Sequence, residues 1–90
     1  MDHLRAERAL SEHTAQAYRA DLQALAEFLA RGGRGLLDAD YPLLRRWLAH
    51  LTTRGYARTS VARKAAAVRA FYRWAHRRGL LEANPAALLA

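Results

Sequence analysis

Ala15, Tyr18, Leu22, Leu25 and Leu29 recur at the three- and four-residue spacing of a helix and define one apolar face. The helix carrying them is expected to begin at Ser11, whose hydroxyl can cap the first free backbone N–H groups. It is expected to end at Gly32-Gly33, where glycine tolerates the left-handed backbone that closes a helix. Residues 2–9 are expected to form a separate short helix, loosely attached. A second helix should start at Asp40, with Pro42 in its first turn, bury Leu44, Trp47, Leu48 and Leu51, and stop at Gly55. A third should be capped by Thr59 or Ser60, bury Val61, Ala65, Val68, Tyr72 and Ala75, and run to Gly79. Asn84-Pro85 reads as the cap and first residue of a short terminal helix ending in Leu88 and Leu89. The pattern therefore predicts an all-α fold, a compact bundle of four principal helices with a fifth at the start. It forms one domain over residues 1–90, without repeats or low-complexity linkers. Because the chain ends in or just after the last element, a fragment of a longer protein is expected.

Composition supports this class. Ala and Leu supply 36 of the 90 residues, against two Val and no Ile. The absence of Cys excludes a disulfide framework and a thiolate zinc site, and fits a reducing compartment. The longest uninterrupted apolar run, Ala86–Ala90, falls far short of the roughly 20 residues of a membrane span, and no signal-peptide pattern opens the chain. Secreted and membrane readings are set aside, and a cytoplasmic location is expected.

Charge changes the picture more than composition does. The net charge is +7, yet residues 1–44 are net acidic, while residues 45–78 hold ten basic residues and no acidic one. Such a block repels itself unless something anionic relieves it. Nucleic acid is the first candidate partner, and an anionic membrane surface or an acidic protein the second. A solvated basic face without a partner is the plain alternative.

Candidate catalytic chemistry is sparse. There is no phosphate-binding glycine loop, no H-E-x-x-H and no convincing carboxylate pair. His3, His13, His50 and His76 fall on different predicted elements with no metal-ligand grouping. Tyr18 and Tyr72 sit on apolar stripes, which suits packing, while Tyr41 and Tyr56 flank helix ends, which suits local anchoring. No catalytic residue, metal, cofactor or small-molecule ligand is expected.

The third helix carries the clearest functional pattern. Turning 100° per residue from Val61 puts Thr59, Arg63, Ala66, Ala70, Arg73 and Arg77 near the side opposite the core, with Arg69 on the flank and Arg58 just before the helix. Small Ala residues permit close approach to a DNA groove, and Arg reaches phosphates or guanine edges. The same residues also suit an ordinary solvated helix back. Binding is favoured because no nearby carboxylate in the sequence neutralises these charges. Opposite Tyr18 on the first helix stand His13, Gln16, Ala20, Gln23 and Glu27. There His13, Thr14 and Gln16, near the expected N-terminus, have polar groups suited to phosphates or base edges. Glu27 would confine any contact to the first turns.

These residues together resemble a known family. They run from Leu10-Ser11-Glu12-His13-Thr14 through Tyr18, Asp21-Leu22 and Phe28 to Trp47-Leu48, Leu51 and Gly55. Thr59-Ser60-Val61-Ala62-Arg63, Ala67-Val68-Arg69-Ala70-Phe71-Tyr72-Arg73-Trp74, Gly79 and Asn84-Pro85-Ala86 complete the pattern. Over nearly the whole chain it resembles the N-terminal, SAM-like core-binding domain of tyrosine recombinases of the phage-integrase and Xer type, the Xer type above all. The resemblance implies a domain that lays two helices across the major groove of a double-stranded DNA core site. A C-terminal catalytic domain, outside these residues, would clamp the opposite side and supply the catalytic Arg, Lys, His and nucleophilic Tyr.

By the same resemblance the matching DNA-binding positions are His13, Thr14, Gln16 and Ala17 on the first helix. On and before the third they are Arg54, Arg58, Thr59, Arg63 and Lys64, with Arg69 and Arg73 further along. The outward face of the third helix independently selects Thr59 and Arg63, and sets Lys64 nearer the core edge. The parent protein would cleave and rejoin DNA through a covalent phosphotyrosine, without metal or cofactor, in a tetrameric synapse with partner recombinase protomers. Its role would be chromosome or plasmid dimer resolution, or else integration by a phage or mobile element. Two other readings stay open: an independent helical DNA-binding regulator, although no helix-turn-helix spacing is present, and a protein-interaction bundle for an acidic partner.

Overall fold

The computed structural model describes the backbone of residues 2–89 and the side chains of residues 16–89. Three helices come in order, α1 at Asp2–Ala30, α2 at Tyr41–Thr53 and α3 at Arg58–Arg77, with one 3-10 turn at Leu36–Asp38 between the first two. Among the described residues the bundle thus has three helices, not four or five, and both discrepancies lie at its ends. The separate segment expected over residues 2–9 is continuous with α1, and Ser11 lies inside that helix instead of capping it. No Gly or Pro interrupts the chain before Gly32, and an interior Ser costs only about half a kcal/mol against Ala, so nothing stops the helix at that point. At the other end, Asn84 does act as a cap, accepting the Ala86 N–H on its Oδ1 at 2.9 Å. Beyond Pro85 the backbone makes a pair of i→i+3 turns, Ala87 to Asn84 and Leu89 to Ala86, not an α-helix. That spacing puts Ala86 and Leu89 into the core and leaves Leu88 exposed.

The helix ends explain how the chain turns. Asp40 caps α2 as expected, its carboxylate accepting the Leu43 N–H at 3.0 Å, with Pro42 in the first turn. All three helices close the same way: the N–H groups of Arg34, Tyr56 and Leu80 reach back to the carbonyls of Leu29, Leu51 and Ala75. This closure requires a left-handed residue, supplied by glycine at each end; at Gly55 φ is +89°. Only Tyr56 and Ala57 then separate Gly55 from α3, so α3 starts at Arg58 with extended Ala57 as its cap residue. Thr59 and Ser60, expected to cap, lie within the first turn instead. The 3-10 turn, which apolar spacing does not predict, is stapled by Asp38, whose carboxylate accepts the Gly35 N–H at 3.0 Å.

The core joins Leu25 and Leu29 of α1, Leu44, Trp47 and Leu51 of α2, Val68 and Tyr72 of α3, and Ala86 and Leu89. Within it the Tyr72 hydroxyl donates to the Leu36 carbonyl at 2.6 Å, tying the 3-10 turn to α3. Burial pushes the pKa of that phenol above the usual tyrosine value. Tyr18, Leu22, Leu48 and Val61, expected on apolar stripes, are half-buried, and Ala15 lies outside the described side chains. Ala67 is wholly buried although it sits about 120° round α3 from Val61. The reason is that α3 packs against both other helices, so its covered arc is wider than one apolar stripe.

Candidate nucleic-acid interface

The wide covered arc of α3 leaves one line open. Thr59, Arg63, Arg73 and Arg77 are exposed, with half-buried Ala66 and Ala70 between them. From Thr59 to Arg77 this line spans about 27 Å of helix rise. Arg58, beside it at the start of α3, is exposed as well, and Arg69 is half-buried on the flank. The expected outward face is therefore present. Its border towards α1, however, is organised by a residue that the charge pattern of 45–78 does not reveal.

That residue is Asp21 of α1, only 1% exposed. Its Oδ2 accepts from the Arg63 guanidinium at 2.8 Å and its Oδ1 from the Lys64 ammonium at 2.7 Å. The expectation that no carboxylate neutralises these cations is thus corrected: the acid comes from another helix, 42 residues earlier in the chain. The two cations fare differently. The Lys64 side chain is 13% exposed and that of Arg63 47%. The Lys64 ammonium also lies 5.6 Å from the centre of the Tyr56 ring, within cation–π range. Lys64 is committed to the protein, whereas the Arg63 guanidinium stays accessible to solvent. Asp21 had a legible signal, an acid standing within the apolar stripe of Tyr18, Leu22 and Leu25.

The Asp21–Arg63 pair joins α1 to α3. Past Asp21, the turn of α1 carries half-buried Ala17 and then exposed Ala20 and Gln16 outward. Past Arg63, α3 carries Ala70, Thr59 and Arg77 outward. Gln16, Thr59 and Arg63 are all exposed, Thr59 and Arg63 on the same line of α3. Arg73 lies about 15 Å further along α3 from Arg63. Arg54 stands apart at the end of α2, where it lines a cleft with Glu27, Arg31, His50 and Tyr56. The side chains of His13 and Thr14, like that of His3, lie outside the described residues. His50 packs its ring 5.6 Å from that of Phe28, and Tyr41 carries the Arg45 guanidinium 5.8 Å from its ring centre, both local packing roles. Among the described residues no three His, Asp or Glu side chains gather as a metal site, and no helix is long and apolar enough to cross a membrane.

Comparison with known proteins fits this architecture. Residues 1–79 match the family described as phage integrase, N-terminal SAM-like domain. The chain is 49% identical to Tyrosine recombinase XerC of Mycobacterium tuberculosis over 79 residues, 88% of this chain and 26% of that protein. It is 46% identical over 88 residues to Tyrosine recombinase XerC of Mycobacterium leprae, covering 98% of this chain and 30% of the relative. Tyrosine recombinase XerD of Bradyrhizobium diazoefficiens is 43% identical over 89 residues, 99% of this chain and 28% of that protein. The chain thus spans under a third of the length of each of these relatives. No solved structure matches it. The matched model covers most of the chain and the relatives agree with it: the chain belongs to the phage integrase N-terminal SAM-like domain family.

Proposed function

We propose that this domain binds double-stranded DNA sequence-selectively, as the core-binding part of a Xer-like site-specific tyrosine recombinase. The observation that carries the reading is the open line of α3, where Thr59, Arg63, Arg73 and Arg77 are exposed around half-buried Ala66 and Ala70, with Gln16 exposed on α1. A major groove about 12 Å wide admits an α-helix, and a side of small residues lets its backbone approach more closely. Ala66 and Ala70 give α3 such a side, while the arginines reach outward to phosphates and base edges. Arg58 and Arg54 extend the positive charge toward the corner between α2 and α3. His13 and Thr14 belong to the contact set by resemblance. Arg69 serves at the flank, and Lys64 acts from behind through Asp21.

In the whole recombinase a catalytic domain would cleave and rejoin the strands through a phosphotyrosine link, conserving the phosphodiester energy without metal or cofactor. Partner protomers would complete a tetrameric synapse in the cytoplasm, for chromosome or plasmid dimer resolution. The names of the similar proteins favour this over a phage or mobile-element integrase.

Fluorescence anisotropy tests the proposal, with a duplex of about 30 base pairs carrying a Xer-type core site and a scrambled control, titrated between roughly 50 and 200 mM salt. Binding that weakens steeply with salt and favours the core site is expected. Equal, salt-sensitive binding to both would leave DNA binding without selectivity in this domain. No binding at low salt would refute the reading in favour of an acidic protein partner.

A further inference from the structure

Asp21 spends both carboxylate oxygens on two consecutive cations of α3, and the two are left in opposite situations. Lys64 is drawn in, its side chain 13% exposed and its ammonium held between Asp21 and the Tyr56 ring. Arg63 is held by one N–H at 2.8 Å while its side chain stays 47% exposed at the edge of the outward line. We propose that Asp21 is a specificity-determining positioning residue, which fixes the Arg63 guanidinium toward a base edge and withdraws Lys64 from phosphate contact. This inference rests on the proposed DNA-binding function.

The two cations gain from different features of a duplex. An ammonium on a flexible stem is a point charge that gains from any phosphate, so it adds affinity without selectivity. A guanidinium gains selectivity only when its planar fork meets the two acceptors on a guanine edge in register. Holding one corner of the fork against a buried carboxylate removes rotamers before DNA arrives, so less freedom is lost on binding. The side chain stays 47% exposed, so the guanidinium remains accessible from solvent. Asp21 also cancels one of the two positive charges at this point, which weakens indiscriminate attraction to the backbone. A carboxylate that served only to join α1 to α3 would need one cation. Here the second is Arg63, exposed on the outward line of α3.

The test uses the tightest duplex that the wild-type domain recovers from a randomised pool of about 30 base pairs, with a scrambled duplex as control. Asp21→Asn keeps the shape and removes the charge. It is expected to lower the preference for the selected duplex at least about fivefold, the smaller end of what one bidentate base contact supplies. Binding to the scrambled duplex should tighten, with a salt slope steeper by about one as Lys64 reaches a phosphate. In an Arg63→Ala background, Asp21→Asn should leave the remaining preference unaltered. An equal weakening of both duplexes by Asp21→Asn would overturn the proposal and reduce Asp21 to a helix fastener.

Arg63→Lys, at an exposed position, guards against a folding failure of the first variant. It keeps the charge and removes the fork, so the preference should again drop at least about fivefold. A preference that survives Arg63→Lys overturns the proposal whatever Asp21→Asn does. A wild-type domain that binds neither duplex sinks the DNA-binding reading itself, a result distinct from wild-type binding that Asp21 does not influence.

Discussion

Tyr72→Phe tests the core of the fold with a change of one oxygen atom. Tyr72 is wholly buried, and its hydroxyl donates at 2.6 Å to the carbonyl of Leu36, the link that holds the 3-10 turn against α3. Phenylalanine keeps the ring and its packing but leaves that carbonyl without its partner. A neutral hydrogen bond contributes about 1 kcal/mol net, and an orphaned, partly buried acceptor adds to the loss, so about 1–2 kcal/mol is expected at pH 7. In a domain of this size that lowers Tm by several degrees. Urea titrations followed by circular dichroism read the difference directly.

The same pair of proteins has a pH signature with a definite sign. Burial raises the phenol's pKa in the folded state, so the unfolded chain loses the Tyr72 proton first. The stability due to the protonated, buried phenol is complete below the unfolded value of about 10 and is lost as pH rises above it. Wild type should therefore lose about 1 kcal/mol relative to Tyr72→Phe between pH 10 and pH 11. Tyrosines common to both proteins cancel in that difference. A gap below about 0.5 kcal/mol at pH 7 that also stays flat to pH 11 would refute the reasoning, because it would mean that the hydroxyl is neither bonded nor buried.

Three further outcomes are expected. Arg63→Ala should weaken duplex binding by about 1–3 kcal/mol if the side chain reads a base, and a loss equal on all sequences, with a salt slope smaller by about one, would assign it to a phosphate. Gly55→Ala should cost about 1 kcal/mol in urea unfolding: φ is +89° there, and open space around an added Cβ leaves backbone strain as the only penalty. Val68→Asp should unfold the domain, since Val68 is 0% exposed and the new carboxylate would have no partner; helicity retained by circular dichroism would contradict the assigned core.

The middle of the fold was legible because its signals are local. Asp40 with Pro42, the 3-4 spacing of Leu44, Trp47 and Leu51, and the glycines at 33, 55 and 79 each act within one turn of themselves. Local signals mislead where they compete with a continuing helix or with packing. Ser11 looks like a cap yet sits in a run of helix formers without a breaker, and Thr59 and Ser60 look like caps although the chain has already turned at Gly55. Asn84-Pro85 did start a turn, but the spacing of Ala86 and Leu89 suits a tighter winding than an α-helix. At the candidate interface, periodicity found the outward line of α3 and put Lys64 near the core edge. Asp21 stands out as an acid in an apolar stripe, but its pairing with Arg63 is not legible, because an ion pair between helices leaves no trace in the charge count of either segment.

The glycine closures at the three helix ends have a kinetic consequence. Each helix carries its own stop signal, so the lengths and exits of α1, α2 and α3 are set by contacts of five residues or fewer, which form on the fast scale of helix–coil relaxation. The slow step left over is docking α1 onto α3, a closure across 42 residues at Asp21 and Arg63 that costs about 3 kcal/mol of chain entropy before any contact rewards it. A chain built this way belongs among the helical bundles that fold in microseconds to milliseconds. Its rate-limiting event is expected to be the meeting of α1 with α3, which brings Asp21 to Arg63.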